Sequence, residues 1–294
     1  MESKTIKTTI LNHGFAGEVR LEETSDGQKY VHKEYSTEVL EFPGNSNLMD
    51  DEWNTLVYLY NKGYNVPQPI RRTKNGMYMQ YIENGALWEA YENADSDAQK
   101  EVIEKFTKLL YNLHILEVTD AKQPDSSFLQ NEIAEIKQII DEKGLYQLNN
   151  YMKTLERLKT ISVSIAEQSQ CYIHRDYHPW NVLLDKNNNQ YAIDFVLKQG
   201  DYRFDAAWTY MLMSRTGFPE FAEYFLSEYK DLQPDVLIEF EFFKQLANFR
   251  WLVTVKPPIS SKKGENTEQA GHTDFFQHMI NIAESEMVVG GLLT

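Results

Sequence analysis

Apolar and polar residues alternate with a period of two over Thr5–Asn12, Glu18–Glu23 and Lys29–Tyr35, which predicts three short, half-buried strands. Ser25-Asp26-Gly27 joins the second and third, and Asp-Gly is a strong hairpin signal because both residues tolerate the dihedral angles of a tight turn. From residue 50 the period changes. Trp53, Leu56, Val57 and Tyr60 fall on one helical face, and Gly63 followed by Val66-Pro67-Gln68-Pro69 ends that helix and extends the chain. Two more strands are predicted at Arg72–Thr73 and Gly76–Ile82. Beyond residue 97 the pattern is helical. Val102, Ile103, Phe106, Leu109, Leu110 and Leu113 mark Asp97–His114, and further stripes predict helices over Phe128–Lys143, Gln147–Gln168, Phe204–Arg215, Phe218–Tyr229, Asp235–Val255 and Thr273–Val288. Lys256–His272, with Pro257, Pro258 and Gly264, reads as a surface loop. Strands first and helices afterwards predict an α+β protein, and the length suits two lobes.

Composition narrows the partners. The chain is 42% hydrophobic and 25% charged, as a soluble globular protein is, and no apolar run approaches the length that spans a bilayer. Met1-Glu2-Ser3-Lys4 carries no signal-peptide core, so a cytoplasmic location is expected. The one cysteine, Cys171, cannot form an intrachain disulfide and reads as a small buried apolar residue. A net charge of −15 argues against nucleic acid and anionic membranes as partners and favours a cationic ligand.

The chemistry concentrates in residues 172–195. Asp176 precedes Asn181 by five positions on a predicted loop, and Asp194 follows Asn181 by thirteen, at the end of the apolar run Tyr191–Ile193. Three such oxygen-bearing side chains suit the alignment of a hydroxyl, a divalent metal and a nucleoside triphosphate, since phosphoryl transfer needs positioning and charge neutralisation more than covalent help. His174 and His178 are four apart and would share a metal on a helix, as in a metal hydrolase, but Pro179 and the loop setting argue against it.

The spacing His174-Arg175-Asp176 to Asn181 is that of the protein-kinase catalytic loop, and His178-Pro179-x-Asn181-Val182-Leu183 resembles the wording of small-molecule kinases. On these motifs the chain resembles the protein-kinase-like fold and, within it, the aminoglycoside phosphotransferase and choline kinase group. The resemblance implies that Asp176 is the catalytic base, that Asn181 and Asp194 hold Mg²⁺, and that His174 braces the loop. Asp194-Phe195-Val196 departs from D-F-G, and Asp205 follows Asp194 by eleven residues within Gly200-Asp201-Tyr202-Arg203-Phe204-Asp205-Ala206-Ala207-Trp208. That interval is too short for a protein-kinase activation segment, so no protein substrate is expected. The G-D-x-x-x-D-x-A-W wording again resembles the small-molecule kinases, where the second Asp, here Asp205, supports the catalytic loop.

The same resemblance orders the N-terminal part. Gly14 and Gly17 would drape a turn over ATP phosphates, although the full G-x-G-x-x-G is missing, and Lys33 would bind phosphate. Glu52 would form the ion pair that aims Lys33, with its neighbours Asp50 and Asp51 as competitors for the same role. Gln80 and Ile82 would meet adenine through their backbone in a hinge, with Gln80 standing where many relatives have Glu. His114 reads as a packed or hydrogen-bonded core histidine. The implied architecture is a two-lobed protein-kinase-like α+β fold. Residues 1–84 form an N-terminal nucleotide-binding lobe of antiparallel sheet and one main helix, and residues 85–294 a larger, mostly helical catalytic and acceptor-binding lobe. ATP, with GTP as an alternative, and Mg²⁺ are the implied cofactors.

The acceptor is less legible. Glu83, Glu89, Glu92, Asp95 and Asp97 form an acidic stretch, as do Glu220, Glu223, Glu228, Asp231, Asp235, Glu239 and Glu241. Carboxylates of this density suit a cationic, hydroxyl-bearing small molecule such as an aminoglycoside, and hence antibiotic resistance. Trp208, Tyr210, Phe242, Phe243 and Trp251 offer a rival, a cage for a quaternary ammonium such as choline, against the plainer reading as core. A choline- or homoserine-type metabolite kinase and a non-catalytic kinase-like binding protein are the alternatives.

Overall fold

The computed structural model describes residues 5–14, 17–41, 47–118, 127–168, 170–259 and 273–289. The chain divides into two compact units, Met1–Leu113 with Asp176–Lys198, and His114–Arg175 with Gln199–Thr294.

In the first unit β1 (Thr5–Gly14), β2 (Gly17–Thr24), β3 (Lys29–Tyr35), β4 (Pro69–Arg72) and β5 (Gly76–Gln80) form an antiparallel sheet in the order β1-β2-β3-β5-β4. Directly opposed residues of an antiparallel ladder share a face. The registers Val19↔Lys33↔Met77 and Leu21↔Val31↔Met79 therefore lay two rows across one side of the sheet. Along β3 the buried residues are Val31, Lys33 and Tyr35, so the two-residue period sends the Lys33 side chain to the covered face, while His32 and Glu34 take the other. The β2–β3 hairpin turns where expected, with Gly27 at a φ of +82°.

Gly17 shows why this corner needs glycine. Its φ is +151°, and a Cβ built there would stand 1.9 Å from the Glu34 carbonyl oxygen on β3. Gly17→Ala is expected to destabilise the protein by ~1–3 kcal/mol, since the backbone it meets has nowhere to go. Gly27→Ala, with nothing within 4 Å of the added carbon, should cost only about 1 kcal/mol of left-handed strain. Urea denaturation of the two variants separates these costs, and equal midpoints would show that the close approach is not limiting.

The helices of this unit are α1 (Thr37–Glu41), α2 (Leu48–Asn61), α3 (Leu87–Glu92) and α4 (Ser96–His114), the last running on to the unit's end. Gly63 stops α2 as expected: at φ +75° its amide donates to the Tyr60 carbonyl at 3.0 Å and Tyr64 N to Leu59 O at 3.0 Å, satisfying carbonyls that the helix leaves open. The α4 stripe packs as predicted, with Ile103, Phe106, Leu109, Leu110 and Leu113 all buried.

The second unit holds α5 (Phe128–Glu142), α6 (Asn149–Ser162) and the short strand β6 (Cys171–Ile173). The chain then returns to the first unit for the hairpin β7 (Val182–Leu184) and β8 (Gln190–Ala192), before α7 (Tyr202–Arg215), α8 (Pro219–Leu232), α9 (Phe240–Val255) and α10 (Thr273–Val289). Two predicted helices come out shorter. The one expected over Gln147–Gln168 ends at Ser162, where the Ser162 and Ser164 hydroxyls donate to the Lys159 and Ile161 carbonyls and so compete with further helical bonding. The one expected over Asp235–Val255 breaks at Glu239, which takes a φ of +58° while Arg203 Nη1 bonds the Ile238 carbonyl at 3.1 Å and the Glu239 carboxylate at 3.0 Å. Of the expected loop Lys256–His272, residues 260–272 lie outside the described residues.

The core of this unit is aromatic. Trp208, Phe242, Phe243 and Trp251 are buried, and two of the rings already face the protein's own cations, Phe243 under Arg203 at 4.4 Å and Trp251 beside Arg215 at 5.2 Å. Cys171 is buried too, its thiol donating to the Gly200 carbonyl at 3.5 Å; burial, then Asp205 and Asp201, push its pKa up and keep it a neutral thiol. Among the described residues no helix is long and apolar enough to cross a membrane.

Candidate active site

Lys33 reaches two carboxylates in the first unit. Its ammonium lies 2.6 Å from Glu52 Oε2, in the early part of α2, and 2.9 Å from Asp194 Oδ1. Burial alone would lower its pKa, but Asp194 and Glu52 outweigh that and hold it above the ordinary lysine value, so the group stays charged. Of the neighbouring acids, Asp50 turns instead to Arg72. Glu52 Oε2 also accepts from the Tyr35 hydroxyl, two residues along β3 on the same face. Sequence reasoning missed Tyr35, though its signal was present in the Lys33-x-Tyr35 alternation.

The β7–β8 hairpin brings Asn181 and Asp194 together. Val182 pairs with Ala192, and one residue further out the Ile193 amide donates to the Asn181 carbonyl at 3.0 Å, which leaves Asn181 and Asp194 at the same end of the ladder. Asp194 has a φ of +60°, a left-handed conformation that a non-glycine residue holds at a cost and that turns its carboxylate toward Lys33. Asn181 Nδ2 donates to the Asp176 carbonyl at 3.0 Å and to Asp176 Oδ2 at 3.2 Å. Both are oxygen acceptors, so the amide nitrogen stands on that side and the side-chain carbonyl oxygen on the other. His178 Nε2 stands 3.2 Å from Asp176 Oδ1. Tyr177, fully buried, stacks on Phe106 at 4.3 Å and donates to the Phe106 carbonyl at 2.7 Å, anchoring the loop to α4.

The residues just before Asp176 belong to the second unit and are gripped there. Asp205, fully buried in the first turn of α7, accepts from the His174 amide at 2.6 Å and the Arg175 amide at 2.7 Å, and lies 3.1 Å from His114 Nε2. His114 is thus the bonded core histidine that was expected, with Nδ1 also 2.5 Å from the Tyr229 hydroxyl. The His174 imidazole is buried. Arg175 has a φ of +69°, and its guanidinium lies 2.6 Å from both Glu132 and Glu135, one turn apart on α5; Arg250 of α9 meets Glu132 at 2.5 Å. This quartet was invisible in the sequence because its members lie up to 118 positions apart.

A cleft of about 640 Å³ in the first unit is walled by Val31, Lys33, Ile82, Trp180, Asn181 and Asp194, among others. Gln80 and Ile82 both line it. The Gln80 amide is already bonded to the Gln68 carbonyl at 2.9 Å. From the β1–β2 hairpin the cleft takes Leu11, Asn12 and Val19, and among the described residues Gly17 is not in its wall. Of the acidic residues singled out in the sequence, Glu89 lines it, whereas Asp95 caps Ala98, Glu223 binds the Tyr210 hydroxyl, and Glu239 and Glu241 pair with Arg203 and Lys244.

Among the described residues no group of three or more His, Cys, Asp or Glu side chains gathers as a metal cage. Mg²⁺ bound with a nucleotide takes one or two protein oxygens and fills its octahedron with phosphates and water. The half-exposed Asp194 carboxylate and the directed Asn181 carbonyl are hard oxygen donors of that kind, and the adjacent Lys33 fits the phosphates.

Residues 7–242 match the model of a family described as phosphotransferase enzyme family. Solved structures with the same fold include a putative aminoglycoside phosphotransferase of Ralstonia eutropha, with a TM-score of 0.71, 13% identity, and coverage of 98% of this chain and 93% of that one. An ethanolamine kinase of Plasmodium vivax has a TM-score of 0.69 and 15% identity over 94% of this chain and 81% of that one. A choline kinase of Streptococcus pneumoniae has a TM-score of 0.64 and 19% identity over 97% and 94%. No curated protein matches the chain. At these identities the likeness is one of fold, the protein-kinase-like α+β fold.

Proposed function

The chain belongs to the phosphotransferase enzyme family, and from that premise we propose that it moves the γ-phosphoryl group of ATP to a hydroxyl of a small, cationic molecule such as an aminoglycoside. The observation that carries this reading is Lys33 bonded at once to Glu52 and Asp194, with Asn181 and Asp176 following on the same hairpin and loop.

In this reading Asp176 accepts the proton of the attacking hydroxyl, and the Asn181 amide keeps its carboxylate in place. Lys33 neutralises phosphate charge while Glu52 aims it. Asn181 and Asp194 offer their oxygens to Mg²⁺, which when bound offsets the charge of the triphosphate. Residues 1–84 would bind the nucleotide, with Ile82 meeting the base, and residues 85–294 would carry the catalytic loop and the acceptor site. A cationic acceptor is favoured by the net charge of −15 and by Glu89, which lines the cleft as Trp180 does. The alternative choline cage of core aromatics is weakened by Arg203 and Arg215, which occupy the faces of Phe243 and Trp251.

A coupled nucleotide-turnover screen with Mg²⁺, run with ATP and with GTP over aminoglycosides, macrolides, choline, homoserine and simple sugars, tests the proposal. Turnover is expected with amino sugars and is expected to stop on chelation of the metal. Turnover confined to neutral or anionic alcohols would dispose of the cationic acceptor. No transfer and no slow ATP hydrolysis would favour the binding-protein alternative.

A further inference from the structure

We propose that Tyr35 is a positioning residue for nucleotide binding, acting through Glu52; the inference rests on the reading of Lys33 as the phosphate-binding group. Three observations support it. Tyr35 and Lys33 alternate on the covered face of β3, and both donate to the same atom, Glu52 Oε2. Tyr35 is 3% exposed, so its hydroxyl does not exchange this partner for water. The Lys33 ammonium also lies over the Tyr35 ring, 5.4 Å from its centroid.

The physical argument concerns what happens when Lys33 turns to phosphate. An ammonium on a four-carbon stem is a mobile partner, and a triphosphate competes for its protons. A carboxylate held by Lys33 alone would then be under-bonded in a buried setting and free to change rotamer. The Tyr35 ring has two side-chain torsions and is packed, so its hydrogen bond persists and keeps Glu52 where Lys33 needs it. Burial, reinforced by Glu52, pushes the phenol pKa up, so the hydroxyl remains a donor at any pH at which the protein is assayed.

Mg·ADP affinity measured by calorimetry on the full chain provides the test, because it requires no acceptor. Tyr35→Phe is expected to weaken binding about tenfold, the scale of one lost hydrogen bond to a charged group, with a thermal midpoint close to that of the parent. In a Glu52→Gln background the same change should add less than about twofold, since it would act on a contact already altered. An effect within twofold in the parent, or a full tenfold repeated in the Glu52→Gln background, would overturn the proposal; the second result would mean that Tyr35 acts elsewhere. Lys33→Met separates the two levels of the argument. If it weakens binding and Tyr35→Phe does not, only the role of Tyr35 fails. If Lys33→Met leaves Mg·ADP affinity unchanged, the phosphate-binding reading fails and the inference with it.

Discussion

Asp176→Asn is expected to lower phosphoryl transfer by about 10²–10⁴-fold, the usual worth of a positioned general base. It should leave Mg·ADP affinity and the thermal midpoint near the parent values. The asparagine keeps an oxygen to accept from Asn181 Nδ2, now 3.2 Å from Asp176 Oδ2, and the backbone acceptor at 3.0 Å is untouched. The Asp176 side chain is half exposed, so the lost charge is not a buried one and folding has little reason to suffer. What disappears is the capacity to take up a proton at neutral pH. Steady-state turnover with the acceptor from the screen, beside calorimetry and thermal melting, gives the three quantities. Retained turnover would remove Asp176 from the chemistry, whatever the rest of the site does.

The second large effect is on stability. Asp205 has no exposure and serves the His174 amide, the Arg175 amide and the His114 ring at once. Asp205→Ala would strand those donors in the interior, and breaking a buried, multiply bonded carboxylate costs roughly 3–5 kcal/mol. Asp205→Asn should recover little, because one of its two acceptor oxygens becomes an NH₂ group aimed at a donor. Arg175 also sits at a left-handed φ of +69°, so the loop would relax once its amide is released. Urea denaturation should show the loss in the midpoint of unfolding. An unchanged midpoint for Asp205→Ala would mean that these bonds are replaced by water at no cost.

The two variants also show what was legible in advance. The spacing of Asp176, Asn181 and Asp194 survives into three dimensions because a hairpin of two three-residue strands is a local structure: once Val182 faces Ala192, Asn181 and Asp194 have to be neighbours. The positions of β2 and β3 were legible for a similar reason, since burial of one face imposes a period of two, and Lys33 inherits its direction from Val31 and Tyr35; β1 is instead exposed from Thr5 to Asn12, and β4 runs over Pro69–Arg72 rather than Arg72–Thr73. Helix ends were less so. Ser162 and Ser164, and the turn at Glu239, interrupt stripes whose apolar spacing continues past them, and what stops each helix is a hydrogen bond. Which carboxylates of the acidic stretches are paired within the protein was not legible either, because the partner can be distant in sequence, as Arg203 is from Glu239.

From the sequence alone came the α+β order, the two-residue alternation of the first strands, and the resemblance that marked Lys33, Glu52, Asp176, Asn181, Asp194 and Asp205, since periodicity and motif spacing are properties of short stretches of chain. Only the tertiary structure decided that Tyr35 shares Glu52 with Lys33, that Arg175 is clasped by Glu132 and Glu135, and that Phe243 and Trp251 are core rings already facing Arg203 and Arg215. The physical reason is common to all three. A buried charge must be paired, and its partner is chosen by packing between elements far apart in sequence, where no local pattern can announce it.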